Sequence, residues 1–590
     1  MTDQVPATKE LSAERAEQKI RELLSNYEDG ENLFIKANEA KTWKYPVILK
    51  EGSKSDHTLP QNWIALAERV FAILAEEKYG LDYYPNQIEL VSPHQMLESY
   101  TSNGLPAFYE HWSLGKKSVQ QERAYEAGQM GLAYELVINS DPCISHCMSN
   151  NTPVLQLLVI SHAAFGHNNF FRENHLFKKN TEAKYIVQDM EHLGDFIREC
   201  EAKYGEEEVE YLLDACHALS THSVTHHIKR PGLSEEEKKK RAEEILLERA
   251  RLPSSKFDFS SVNGADLDED EKKRRRTYVS GNNEENLLRY IADNAPEMHL
   301  PGWKRDIMRR MADVSQYFYP QMQTKTMNEG WASFWHWTMM HDLHDLGLID
   351  DGMMFEFYDS HTAVLRQPDF DETIRIRNQQ TGEIQERRIY NGLNPYTMGF
   401  GIFDDIKRIC TDPTDEDREW FPDIAGNGDW LNTIKFAMEN FNDSSFVQQY
   451  LSPTRMRDLK LFAVDTDMDE GYAEVTAIHD KEGFKDLRRS LSEYYAQMIR
   501  SPQIEVHEYH YRTDRHLVLR HTMEDNRPIY EPDMEEVLKH IHSLWEHPVV
   551  LETVSEDTPD VVEDYMVCPP YYDDVYKYDQ RQRGPKSFTF

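Results

Sequence analysis

The stretch S-H-A-A-F-G-H-N-N-F-F, Ser161 to Phe171, decides how this chain is read. It follows an apolar run over 154–160 and sets two imidazoles where a core would ask for aliphatic side chains. Thr152-Pro153 ahead of it reads as an N-cap with proline at the first helical position, so a helix is expected to carry His162 inward. On a regular α-helix, residues five apart point about 140° from each other, so His162 and His167 would not share a face. Gly166 offers a way round this. A π-type turn, or a helix that ends at Gly166, brings positions i and i+5 together, and such bulges often occur at functional sites. Two readings stay open for this stretch alone: a pair of metal ligands, or two histidines each satisfied by a carbonyl or carboxylate.

A second stretch, M-N-E-G-W-A-S-F-W-H-W-T-M-M-H-D-L-H from Met327 to His344, reads as one buried helix. Glu329 and His336 lie two turns apart and so fall on one face, and Asn328 or Thr326 is placed to cap the start. A carboxylate among Trp331, Phe334, Trp335 and Trp337 is costly to bury unpaired, which calls for a cation or imidazole partner. Two neutral histidines and one carboxylate form a common ligand set for zinc, and for iron when further positions stay open. His162, His167 and Glu329 are therefore the candidate metal ligands, with His336 as a fourth ligand or a supporting group. The pattern departs from H-E-x-x-H, since the histidines are five apart and Ala163 stands where that motif has its general base.

Composition bounds the rest. With 39% hydrophobic and 11% aromatic residues over 590 positions, the chain can build two or three cored domains. Its 104 acidic against 66 basic residues give a formal net charge of −38, a field that repels nucleic acid and anionic lipid. No apolar run approaches the ~20 residues of a membrane span, and residues 1–11 lack a signal-peptide pattern, so a cytoplasmic protein is expected. The sparse cysteines fit free thiols better than a disulfide framework. Cys143 and Cys147 could be read as a metal motif, although a lone C-x-x-x-C favours a structural role.

The expected fold class is α+β. Residues 1–59 form an N-terminal extension with an amphipathic helix over 11–27. Residues 60–455 form a large, mainly helical domain with a minor sheet, its strands at 87–91 and 134–138. Glu135, inside the second strand, is either an outward-facing residue or a supporting carboxylate for the histidines. Residues 232–282, with few aromatics and blocks of charge, read as an exposed excursion, and 373–390 as a β-hairpin. Gly399 and Gly401 suggest close helix approach. Residues 456–555 alternate as ββαββαβ, a small C-terminal α+β domain, and 556–590 read as an acidic, Tyr/Pro-rich extended tail. His222 and His226 have helical ligand spacing, but no acidic residue sits among them and a solvated helix end is the simpler reading.

Several strings together resemble the SpoVR family, the stage V sporulation protein R-like group. They are Y-P-N-Q-I-E-L (Tyr84 to Leu90), H-W-S-L-G-K-K (His111 to Lys117), L-A-Y-E-L-V-I-N (Leu132 to Asn139), H-A-A-F-G-H-N-N-F-F, M-N-E-G-W-A-S-F-W-H and N-P-Y-T-M-G-F (Asn394 to Phe400). They recur in family order over roughly residues 60–555. The resemblance implies a cytoplasmic protein linked in spore-formers to sporulation and spore cortex formation, encoded near a serine protein kinase and a von Willebrand-type domain protein. It implies no reaction. Two classes of function follow. One is a zincin-like, metal-dependent hydrolase tied to envelope or stress physiology; the other is a non-enzymatic scaffold or regulatory partner of the kinase.

Overall fold

A computed structural model describes residues 5–51, 59–101, 109, 111–112, 135–225, 285–296, 300–377, 384–390, 392–467, 472–477, 480–499, 502–509, 515–523, 529–555, 558–568 and 576–578. The fold is α+β, with twelve strands, β1 to β12, among the described residues. The 232–282 excursion, the hairpin's turn, and Lys116 and Lys117 of the string His111 to Lys117 lie outside them.

Contacts group the chain into two units, residues 1–195 with 317–499, and 196–316 with 500–590. This differs from the expected break at 455/456. The hairpin β6 (Ala463–Asp467) and β7 (Tyr472–Ala477) and the helix Lys481–Ile499 belong to the first unit. Phe484, Leu487 and Tyr495 of that helix join the first unit's core, and Ser444 Oγ donates to the Ser492 carbonyl at 2.9 Å. The ββα start of the expected C-terminal domain is thus tied to the helical unit by its apolar face. The hairpin β4 (Thr373–Arg377) and β5 (Ile384–Arg388) is antiparallel, as expected.

In the first unit the helix Lys325–Asp345 runs through the core, with Trp331, Phe334, Trp335, Met339 and Met340 all buried. A helix apolar on nearly every side has to be surrounded. It packs along the helix Pro395–Thr411 and against the turn Ser161–His167. Glycines permit both approaches. A Cβ on Gly330 would collide with the backbone of Gly399, one on Gly399 with the Thr326 carbonyl, and one on Gly166 with Ala332. Gly401 has no such neighbour, since a Cβ there would meet only the Arg455 side chain at ordinary contact distance. Gly330→Ala should therefore destabilise by about 3 kcal/mol or more, the upper range of overpacking, and Gly401→Ala by far less. Urea denaturation of both variants checks this; equal midpoints would refute the close-approach account.

The expected cap of the Lys325–Asp345 helix is corrected. Neither Thr326 nor Asn328 caps it; Asp443 accepts the backbone N–H groups of Thr326 and Met327, each at 2.8 Å. That leaves the Asn328 side chain free for other work. The minor sheet has order β1-β3-β2, with β1 (Asn86–Val91) parallel to β3 (Cys143–Met148) and β2 (Glu135–Ile138) antiparallel to it. Its central strand, β3, is the one sequence reading missed.

The second unit holds a five-stranded sheet of order β12-β11-β10-β9-β8. The strands β8 (Gln503–Tyr509) and β9 (Leu517–Met523) are antiparallel, and the helix Glu531–Trp545 crosses over to β10 (Val549–Ser555), which runs parallel to β9. The tail expectation is corrected here: β11 (Thr558–Cys568) pairs antiparallel with β10, and β12 (Tyr576–Tyr578) with β11. Unpaired, β10 would have been a long edge, and β11 covers it.

Candidate metal centre

The helix that starts at Thr152, whose side chain accepts the Leu155 N–H, widens into a π turn over Ser161–His167. One extra residue per turn brings positions five apart onto one side. His162 and His167 end with ring centroids 4.6 Å apart, both buried. The helix Lys325–Asp345 faces them with Glu329, and β2 brings Glu135. His162 Nε2 lies 3.2 Å from Glu135 Oε1 and 3.7 Å from Glu329 Oε2, and His167 Nε2 lies 3.5 Å from the same Glu329 oxygen. Among the described residues, Glu135, His162 and His167 form a group that could hold a metal ion, with ligand atoms all within 4.8 Å of one another.

The far side of each ring is tied off. His167 Nδ1 donates to Asn328 Oδ1 at 2.8 Å, which turns its Nε2 toward Glu329. His162 Nδ1 meets His336 Nδ1 at 2.8 Å, and His336 Nε2 meets His361 Nδ1 at 2.7 Å. With His162 Nε2 unprotonated, each ring in this row donates to the next, and His361 ends the row. Such outer partners fix the tautomer and aim of a metal-binding histidine. His336 thus stands behind His162 rather than beside it.

Burial sets the charges. It pushes the His162 and His361 imidazoles down to about 4 and His336 well below its ordinary value, so all three are neutral at pH 7. It pushes the Glu135 carboxyl well above the usual range, and the nearby Glu329 charge adds to this. Burial works to raise Glu329 too, but hydrogen bonding to His162, the two imidazoles and the Tyr396 phenol outweigh it, and Glu329 sits below its ordinary value. Glu135 Oε2 and Glu329 Oε2 are buried without a hydrogen-bond partner. Two carboxylates beside two imidazoles are the kind of donor set a divalent cation takes.

The structure thus brings together His162, His167 and Glu329, and sets His336 in hydrogen-bond contact behind them. Sequence reading underplayed Glu135 and missed Asn328, His361 and Tyr396, whose ring stacks over His162 at 6.4 Å. Asn328 and Tyr396 stood inside quoted family strings, whereas His361 carried no signal at all. Cys143 and Cys147 are buried free thiols in β3, outside the cluster, and burial raises both. His222 sits in a short 3-10 turn, and His226 lies outside the described residues.

Fold and site define an α+β protein with two buried histidines facing two half-buried carboxylates. The family model described as "SpoVR like protein" matches residues 62–500, and the "SpoVR-like C-terminal domain" model matches 502–556. The chain belongs to the SpoVR family. It is 43% identical over 500 residues to the protein of Escherichia coli (strain K12) printed as "Uncharacterized protein YcgB", covering 83% of this chain and 92% of that relative. No solved structure matches it. Among the described residues, no helix is long and apolar enough to cross a membrane.

Proposed function

We propose that this chain binds one divalent metal, zinc or iron, through His162, His167, Glu135 and Glu329, and uses the site to hydrolyse an amide or ester bond. The observation that carries the reading is the π turn. It brings the Nε2 atoms of His162 and His167 to one side, within 3.2 to 3.7 Å of the Glu135 and Glu329 carboxylates. A metal bound there would supply Lewis-acid polarisation of a carbonyl oxygen. The chain's own groups do the rest: the two imidazoles and the two carboxylates would hold the cation and fix its position beside the substrate carbonyl. Tyr396 holds Glu329 in place. The five described free cysteines support a reducing, cytoplasmic setting for this chemistry.

Metal analysis of protein expressed in metal-replete medium without chelators tests the reading. Wild type should carry about one equivalent, and His162→Ala, His167→Ala and Glu329→Gln less than about a tenth of that. Circular dichroism should stay helical in all three, because the large core stands without the site. Metal-free wild type, or variants that keep full metal, would refute it.

A further inference from the structure

The first unit also carries a mainly apolar groove, away from the histidines. It is a groove of about 630 Å³ whose walls include Trp43, Tyr45, Trp63, Glu68, Ile88 and Leu90. One wall is the open edge of β1. Cys143 N–H donates to the Pro85 carbonyl and Ser149 N–H to the Val91 carbonyl, which places the odd-numbered β1 residues against β3. In a parallel ladder, the N–H and C=O of one residue point to the same side and those of the next to the other. The backbone groups of Asn86, Ile88 and Leu90 therefore point away from β3, and these three residues line the groove. No described residue hydrogen-bonds to the backbone N–H or C=O of these three. The opposite wall includes residues 43–47, fixed at one end by Trp43 Nε1 donating to the Ser149 carbonyl at 3.1 Å.

Two side chains give this recess chemical character. Trp63 is 2% exposed, lines the groove, and its Nε1 is buried with no acceptor, a donor that costs stability until something accepts from it. Glu68 accepts the Asn86 amide at 3.2 Å, and burial raises its carboxyl while the neighbouring Arg69 charge works to lower it. An extended peptide backbone offers the alternating donors and acceptors that the β1 edge lacks, over about five residues at strand spacing. A lysine or arginine on that peptide would meet Glu68, and the chain's net charge of −38 draws in cations.

We infer that the groove beside β1 binds an extended basic segment of a partner protein as an added strand, with Glu68 pairing its cationic side chain and Trp63 Nε1 donating to it. This rests on residues outside the metal centre and stands or falls separately. The test is binding of the full-length protein to arrayed synthetic decapeptides that alternate valine with lysine, glutamate or serine. Lysine peptides should bind about tenfold or more tighter than the other two. Ile88→Pro removes an outward-facing donor, and proline is tolerated on an edge strand, so it should weaken binding about tenfold with unchanged circular dichroism and metal content. Should that variant misfold, Leu90→Pro asks the same question one residue pair along. Glu68→Gln should erase the preference for lysine. No binding by any peptide, or unchanged binding by both proline variants, would overturn the inference. So would self-association in sedimentation that Ile88→Pro abolishes and the peptides do not compete with, because the occupant would then be a second copy of this chain.

Discussion

Zinc binding is expected to release a proton from Glu135 over the pH range in which that carboxyl titrates. The imidazole of His162 is already neutral down to about pH 4, so acid competes little with it above that point. Glu135 is different: burial beside Glu329 pushes its carboxyl well above 4.5, and it must give up that proton to ligate. Affinity should therefore rise with pH on the Glu135 titration. Calorimetry in buffers of differing ionisation enthalpy reads the proton count. In Glu135→Gln the count should fall towards zero and affinity should drop more than about 100-fold, beyond the range for an outer partner of a metal ligand.

The same substitution should have the opposite sign in the metal-free protein. Glu135 has a folded-state pKa raised above its unfolded one, so its contribution to stability is intact below pH 4.5 and is lost as pH rises towards the folded value. Glu135→Gln removes that loss. Its gain in stability should be absent at pH 4.5 and grow by about 1.4 kcal/mol per pH unit above it, to at most about 3 kcal/mol at pH 7. Urea titrations at pH 4.5 and 7 measure the difference. A variant destabilised at both pH values, with zinc binding unchanged, would make Glu135 part of a structural network and remove it from the metal centre.

Such a trade of stability for a binding site leaves a mark on the sequence, and that mark was legible here. The five-residue spacing of His162 and His167 made no sense on a regular helix. Only a local defect at Gly166 could reconcile it with a shared face, and the π turn is that defect. The two-turn spacing of Glu329 and His336 likewise fixed one helix face. What stayed hidden depended on partners distant in sequence. The Glu135 strand could be assigned, but not its neighbour β3, because the polar Ser145 and His146 inside C-I-S-H-C-M break an apolar alternation. Asn328 looked like a helix cap until Asp443, more than a hundred residues away, supplied the cap instead. The unit boundary at 499/500 was masked for a related reason: the ββα run before it alternates like a domain start, while its helix buries Phe484 and Leu487 in the preceding unit.

His336→Phe is expected to separate ligand from orienting group. It fills the space of the ring but leaves the His162 Nδ1–H without an acceptor and His361 Nδ1 without a donor. Each orphaned buried group costs about 1–3 kcal/mol, so the metal-free protein should lose roughly 2–6 kcal/mol. Zinc affinity should fall about 10- to 100-fold, because His162 is free to take the wrong tautomer, yet excess zinc should still fill the site. His162→Ala should not fill at the same excess. The contrast follows from geometry: His336 meets His162 through Nδ1 on the side away from Glu135 and Glu329, so it can steer the ligand but has no nitrogen aimed where the carboxylates converge. Calorimetric zinc titration of the two variants, beside urea denaturation of each, reads both effects. An His336→Phe protein that stays empty at every zinc concentration would make His336 a ligand. One that binds zinc as tightly as wild type would show that the row of imidazoles does not orient the metal site at all.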